Sequence, residues 1–376
     1  MYFLQAPFRP FFTLTALAAI FIPMYFVGIL VNGYYINEAY LSSSFWHAHE
    51  MIFGFTSALL SGFLLTAAPK WRQVKAVSSG WTLLLVTSWI FARVIMVSQP
   101  SELSIYFFCA LPLILLIIKL FLILGRTPNA FIALPLLLAL LISELLSIYG
   151  AINEHELLLE SAYHLMAFII AALLIIFSGR LIPFFVNSKF QTQLIHQNKK
   201  LDLTIVAVSF AMLVLTISGV KFATTTLSFI CFLLLCIRFK LYFSKKILRV
   251  PMLWILFLGH LWLIFYFLLN SLAPYMENLA EARAVFHALY AGALGIFAIG
   301  MMSRVSLGHS GLEMKATKLI TFSFISILVG AFVRVLHPIF MGGLDGTLLH
   351  ISMGFWTLSF ILYLIYFFPK FITLRD

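Results

Sequence analysis

The chain has 376 residues, 63% of them hydrophobic and 10% charged, with a mean hydropathy of +1.07. Lipid is the natural solvent for such a composition, which excludes an ordinary soluble domain and describes a polytopic membrane protein. The formal net charge of +11 is concentrated in short loops, where the positive-inside rule places lysine and arginine, so it calls for no nucleic acid.

In chain order, apolar stretches long enough to cross a bilayer lie roughly at 11–31, 47–67, 80–97, 103–124, 130–149, 161–185, 203–220, 223–243, 251–272, 284–303, 317–337 and 347–368. Leu, Ile, Ala and Phe dominate without period-2 alternation, so the expected fold class is all-α: about twelve transmembrane helices in one integral membrane domain, 1–376, and no barrel. The first stretch follows Phe8-Arg9-Pro10-Phe11-Phe12 and lacks a small-x-small exit, so it is expected to be retained. The second opens with Trp46-His47-Ala48-His49-Glu50, the third carries Arg93 and the fifth Glu144. Tyr163-His164 opens the sixth, His260 lies near the middle of the ninth, and Phe286-His287 opens the tenth. The eleventh ends with Arg334 and His337, and the twelfth begins with His350. Cys109, Cys231 and Cys236 sit inside apolar runs without metal-ligand spacing and read as packing residues.

Basic residues fix the expected orientation. Arg9, Lys70, Arg72, Lys75, Arg126, Lys189, Lys199, Lys200, Lys245, Lys246, Arg249, Arg304, Lys315, Lys318, Lys370 and Arg375 share one side of a twelve-helix arrangement. The other side holds Glu38, Glu102, Glu154, Glu156, Glu160, Glu277, Glu281 and Asp345 against Lys221 and Arg283, so both termini are expected in the cytoplasm. His47, His49, Glu50, Arg93, Glu144, His164, His287, Arg334, His337 and His350 then share the outer half of the membrane. His155 falls in an outer loop, and His196 and His309 on the cytoplasmic side. Ionisable groups in hydrocarbon are costly, so their gathering in one leaflet points to a shared site; outer headgroup hydration is the alternative.

On an ideal helix each opening histidine heads a stripe of small residues. Gly54, Ala58, Ser61 and Gly62 lie below His47, while His49 points about 200° away. Ala167, Ala171, Ala172, Ser178 and Gly179 lie below His164, and Ala291, Gly295 and Ala298 below His287. Such stripes are either helix-packing seams or smooth surfaces for a flat macrocycle ligated by the histidine, for which haem is the natural candidate. The three histidines recur at intervals of about 120 residues, which suggests three four-helix pseudo-repeats at 1–125, 126–246 and 247–376. Phe91-Ala92-Arg93-Val94 in the first matches Phe332-Val333-Arg334-Val335 in the third. This plan distantly resembles, in topology, the catalytic subunit of haem-copper oxidases and nitric oxide reductases, but the seventh stretch has no histidine for a copper site of that kind.

A closer resemblance spans nearly the whole chain. Phe8-Arg9-Pro10-Phe11-Phe12, Trp46-His47-Ala48-His49-Glu50-Met51-Ile52-Phe53-Gly54-Phe55, Gly62 to Trp71, Gly179-Arg180-Leu181-Ile182-Pro183-Phe184-Phe185 and His287 to Gly311 together resemble the NnrS family. Leu312-Glu313, where many members carry a basic residue, and a short tail after Pro369 are its departures. The resemblance implies a bacterial inner-membrane protein containing haem and copper that protects against nitric oxide and nitrosative stress. Cofactor-binding candidates are His47, His49 and His287, with Arg93 and Arg334 as propionate clamps or partners of carbonyls or Glu144. His47 is the first choice of its pair. Copper would draw on His164, His260, His337 and His350. Glu50 and Glu144 are candidate proton relays or partners of ligating imidazoles, and Glu50 equally reads as an interfacial carboxylate. No Cys-x-x-Cys-His motif is present, so the haem would be non-covalent, of b type or similar. Nitric oxide or a related diatomic would be the ligand, and sustained turnover would need a separate electron donor. A proton-coupled secondary transporter and a non-catalytic cofactor-carrying sensor or assembly factor are the competing readings.

Overall fold

A computed structural model describes residues 2–276, 279–341 and 345–373, so Glu277 and Arg375, used above for orientation, lie outside the described residues. Each expected apolar run is a helix, and no strand occurs among the described residues. Among the described residues, twelve helices are long and apolar enough to cross a membrane: α1 (Phe8–Asn32), α2 (Ser43–Arg72), α3 (Ser79–Ser98), α4 (Glu102–Leu124), α5 (Pro128–Ile152), α6 (Glu156–Phe190), α7 (Lys199–Ile217), α8 (Phe222–Tyr242), α9 (Pro251–Tyr275), α10 (Glu281–His309), α11 (Lys318–Met341) and α12 (Gly346–Ile372). The chain is a multi-pass membrane protein.

Helix ends follow local chemistry more closely than hydropathy does. Ser42, Ser78, Ser101 and Thr127 cap α2, α3, α4 and α5, each side-chain oxygen accepting a backbone N–H of the first turn. Capping by Ser42 starts α2 four residues before its apolar run, which places His47 and His49 inside the helix. Asn198 does the same for α7, while Gly219, at φ +77°, ends it earlier than hydropathy suggests. At 35 residues α6 is roughly 50 Å long, well beyond a hydrocarbon core of about 30 Å, because Lys189 and its polar neighbours tolerate the interface.

Two of these helices contain π-helical turns, and both follow a histidine. In α2 the turn is Glu50–Gly54, directly after His49; in α10 it is Ala288–Leu294, directly after His287. A π turn carries an extra residue and shifts the face of everything beyond it, and such turns concentrate at functional sites. The stripes projected at 100° per residue below His47 and His287 therefore do not continue straight through these helices.

The chain forms two compact units: Met1–Tyr163 with Val305–Leu312 and Phe360–Asp376, and His164–Arg304 with Glu313–Ser359. In the first, Phe8, Phe11 and Phe12 are fully buried, and a Cβ on Gly62 would come within 2.7 Å of the Phe12 ring, so a bare backbone lets α1 seat its aromatics on α2. In the second, a Cβ on Gly330 would lie 2.8 Å from the backbone nitrogen of Trp356, so α11 and α12 meet backbone to backbone. Ser352 ties the same crossing by donating to the Gly330 carbonyl at 2.9 Å.

Candidate functional site

The first unit buries a charged cluster built from four helices. His49 and Glu50 come from α2, Arg93 from α3, Cys109 from α4 and Glu144 from α5; all but Arg93 are almost completely inaccessible. His49 Nδ1 lies 3.1 Å from Glu50 Oε1 and its Nε2 lies 3.3 Å from Glu144 Oε1. Arg93 Nε approaches Glu50 Oε2 at 2.7 Å, at an angle outside hydrogen-bonding geometry, so the contact is ionic. The ligating atoms of His49, Cys109 and Glu144 all fall within 4.8 Å of one another.

The sequence builds this cluster in recognisable ways. Gly54 makes room for it: a Cβ there would meet Arg93 Nη1 at 2.6 Å and Glu50 Oε2 at 3.3 Å. The Gly54 carbonyl accepts Trp89 Nε1–H at 2.9 Å, fixing α3 against the π turn, and Trp89 lies beneath the Arg93 guanidinium, 5.1 Å from ring centroid to Cζ. Each buried carboxylate costs several kcal/mol of lost hydration, so an arrangement that gathers two of them must supply positive charge nearby. Arg93 supplies one unit.

A second buried cluster lies in the second unit. Arg238, fully buried on α8, donates to the Ile175 carbonyl (2.8 Å), Asp202 Oδ1 (2.9 Å), Ser178 Oγ (2.7 Å) and His260 Nδ1 (3.1 Å). A guanidinium can only donate, so His260 Nδ1 is the acceptor and its ring is neutral with the proton on Nε2. Gly179 leaves space for the carboxylate, since a Cβ there would lie 2.5 Å from Asp202 Oδ2. His260, expected among the copper donors, thus has its lone pair engaged by Arg238.

The remaining candidates have distinct surroundings. His47 is half-buried and stacks on Phe26 at 4.0 Å between centroids, 7° from parallel. His164 is half-buried with its ring 5.8 Å from that of Phe286. His287 donates from Nδ1 to the Arg283 carbonyl at 2.8 Å, and His350 from Nδ1 to the Gly346 carbonyl at 2.7 Å. Both bonds reach back four residues on the same helix and make Nε2 the lone-pair nitrogen, the tautomer common among metal-ligating histidines. Arg334 and His337 are half-buried, one turn apart on α11.

Side chains fill all three small-residue stripes. Gly54 faces Arg93, Gly62 faces Phe12, Gly179 faces Asp202 and Gly295 faces the Trp356 ring, each within 2.7 Å of a notional Cβ. Of the two readings open in the sequence, packing seams are what the structure contains.

Three members of these clusters were missed by sequence reasoning. Arg238 and Asp202 left a usable signal, an arginine inside an apolar run and an acid at the start of another. Cys109 left none, because only the packing of α4 against α2 and α5 shows what its thiol faces. Against known proteins, the family model described as NnrS protein matches residues 2–375. No curated protein matches the chain.

Proposed function

The chain belongs to the NnrS family, and from that premise we propose that it is a haem- and copper-binding protein of the bacterial inner membrane, both termini cytoplasmic, that protects against nitric oxide. The observation that carries the reading is the tautomer set at His287 and His350, whose Nδ1–H groups are spent on carbonyls four residues back, at 2.8 and 2.7 Å. That donor chemistry fits a metal or haem iron approached through Nε2. His287, beside the π turn of α10, would hold the haem iron; His164, His337 and His350 of the same unit would be the copper donors. Haem iron, when bound, supplies a position for a diatomic ligand. The protein's own part is to orient the imidazoles, as the Nδ1–H bonds of His287 and His350 do. Arg334, half-buried on α11, supplies positive charge for propionates.

An optical spectrum of the purified protein tests this. A Soret band that shifts on adding nitric oxide, with copper found by elemental analysis, is the expected result, and His287→Ala should abolish the band. A colourless, metal-free preparation after expression with ample iron and copper would overturn the proposal in favour of transport. The single variants His47→Ala and His49→Ala extend the test to the first unit's imidazoles.

A further inference from the structure

We propose that His49, Cys109 and Glu144 bind one divalent transition-metal ion of borderline softness, the class of zinc(II), inside the first unit. This goes beyond the haem and copper reading and leaves His287, His164, His337 and His350 to it. The three donors lie within 4.8 Å of one another. A tetrahedral ion with bonds of about 2.0–2.3 Å needs donors about 3.5 Å apart, so closure requires shifts of about 1 Å.

Two independent observations point to an occupant. Glu144 Oε2 is buried and makes no hydrogen bond; a carboxylate oxygen without a donor in a dry interior calls for a cation. His49 also already has the outer partner typical of a metal-bound histidine: its Nδ1 is 3.1 Å from Glu50 Oε1, and Glu50 is held in turn by Arg93 at 2.7 Å. With Nδ1 committed to Glu50, Nε2 is the nitrogen turned toward Glu144, 3.3 Å away.

Charge selects the ion. Both ring nitrogens of His49 face carboxylate oxygens, which only accept, so without a metal the His49 imidazolium and Arg93 together balance Glu50 and Glu144 beside a Cys109 thiol. Metal entry forms metal–nitrogen and metal–sulfur bonds and breaks the His49 Nε2–H and Cys109 S–H bonds, both protons leaving to solvent, and no electrons are transferred. A divalent ion then brings the cluster to neutrality; a monovalent ion leaves it negative. The three protein donors leave a fourth tetrahedral position for water or a small ligand.

Zinc titrated into the detergent-purified protein and read by zinc X-ray absorption tests the site. The expected result is one zinc per chain with a single sulfur neighbour at about 2.3 Å and N/O neighbours at about 2.0–2.2 Å. That sulfur shell should persist in the Cys231→Ser/Cys236→Ser double variant, which leaves the site intact, and vanish in Cys109→Ser. Glu144→Gln should weaken zinc binding at least tenfold. A zinc spectrum without sulfur, or a sulfur shell lost in the double variant, overturns the proposal. A sulfur shell in a haem-free preparation overturns only the haem reading, whereas a full Soret band without the sulfur shell overturns only this site.

Discussion

Two buried ionic clusters, one in each unit, are solved differently. Around Arg238 one cation meets one carboxylate, and a carbonyl, a hydroxyl and an imidazole take up further N–H groups. What stays unpaired there is Arg238 Nε and His260 Nε2, both N–H donors, which cannot attract a cation. Around His49 the imidazole lies between two carboxylates, of which Glu50 also meets the Arg93 guanidinium, and a carboxylate oxygen, Glu144 Oε2, stays unpaired. Balanced charge makes a clamp, drawing α6, α7, α8 and α9 together. An unpaired carboxylate oxygen beside a thiol and an imidazole makes a place for an ion.

The comparison breaks most easily at Asp202. Asp202→Ala leaves the Arg238 guanidinium buried without its counter-charge and should cost about 3–5 kcal/mol in thermal unfolding, whereas replacing the pair together, Asp202→Leu with Arg238→Met, should be near neutral. A cost for Asp202→Ala under about 1 kcal/mol would show that the pair is not a clamp. Next in size is ligand-linked stability: zinc at a hundred times its dissociation constant should stabilise the wild type by about 2.7 kcal/mol. That gain should vanish in Cys109→Ser and survive where only the second cluster is altered, as in Ser178→Ala.

Glycine substitutions sharpen the contrast further. Gly179→Ala would set a methyl 2.5 Å from the Asp202 carboxylate, which Arg238 holds in place, at a cost of about 1–3 kcal/mol. Gly54→Ala meets the long side chain of Arg93 at 2.6 Å, which can swing aside, so its stability cost should be under about 1 kcal/mol. Its signature should instead be weaker zinc binding, since Glu50 loses its clamp. An equal stability loss at both glycines would contradict the distinction. The smallest effect lies outside the membrane, at the exposed Glu38, whose carboxyl is held below its ordinary range because Ser43 donates to it. A depressed folded value stabilises above the unfolded pKa of about 4.3 and is lost as pH falls through the folded value. The difference in melting temperature between wild type and Glu38→Gln should therefore shrink as pH drops from about 6 toward 3.

Twelve apolar runs, their helical character and their family were legible from residue order alone, because burial in lipid demands some twenty apolar residues in a row and satisfies every backbone group within one helix. His49, Glu50, Arg93 and Glu144 were legible as expensive residues, each conspicuous in its own run. Their convergence was not: it depends on how α2, α3 and α5 rotate against one another, and the π turn after His49 alters that rotation in a way no ideal helical projection contains. Cys109 passed for packing because a thiol is cheap in hydrocarbon, so its neighbours alone give it meaning. Likewise the small-residue stripes were visible in the sequence, while only the packed structure decided that side chains fill them. Sequence by itself determined which groups the membrane must pay for, since transfer costs belong to single residues. The tertiary structure alone decided which of those groups share a charge, because Coulomb interactions and coordination depend on distances between helices that the order of residues does not specify.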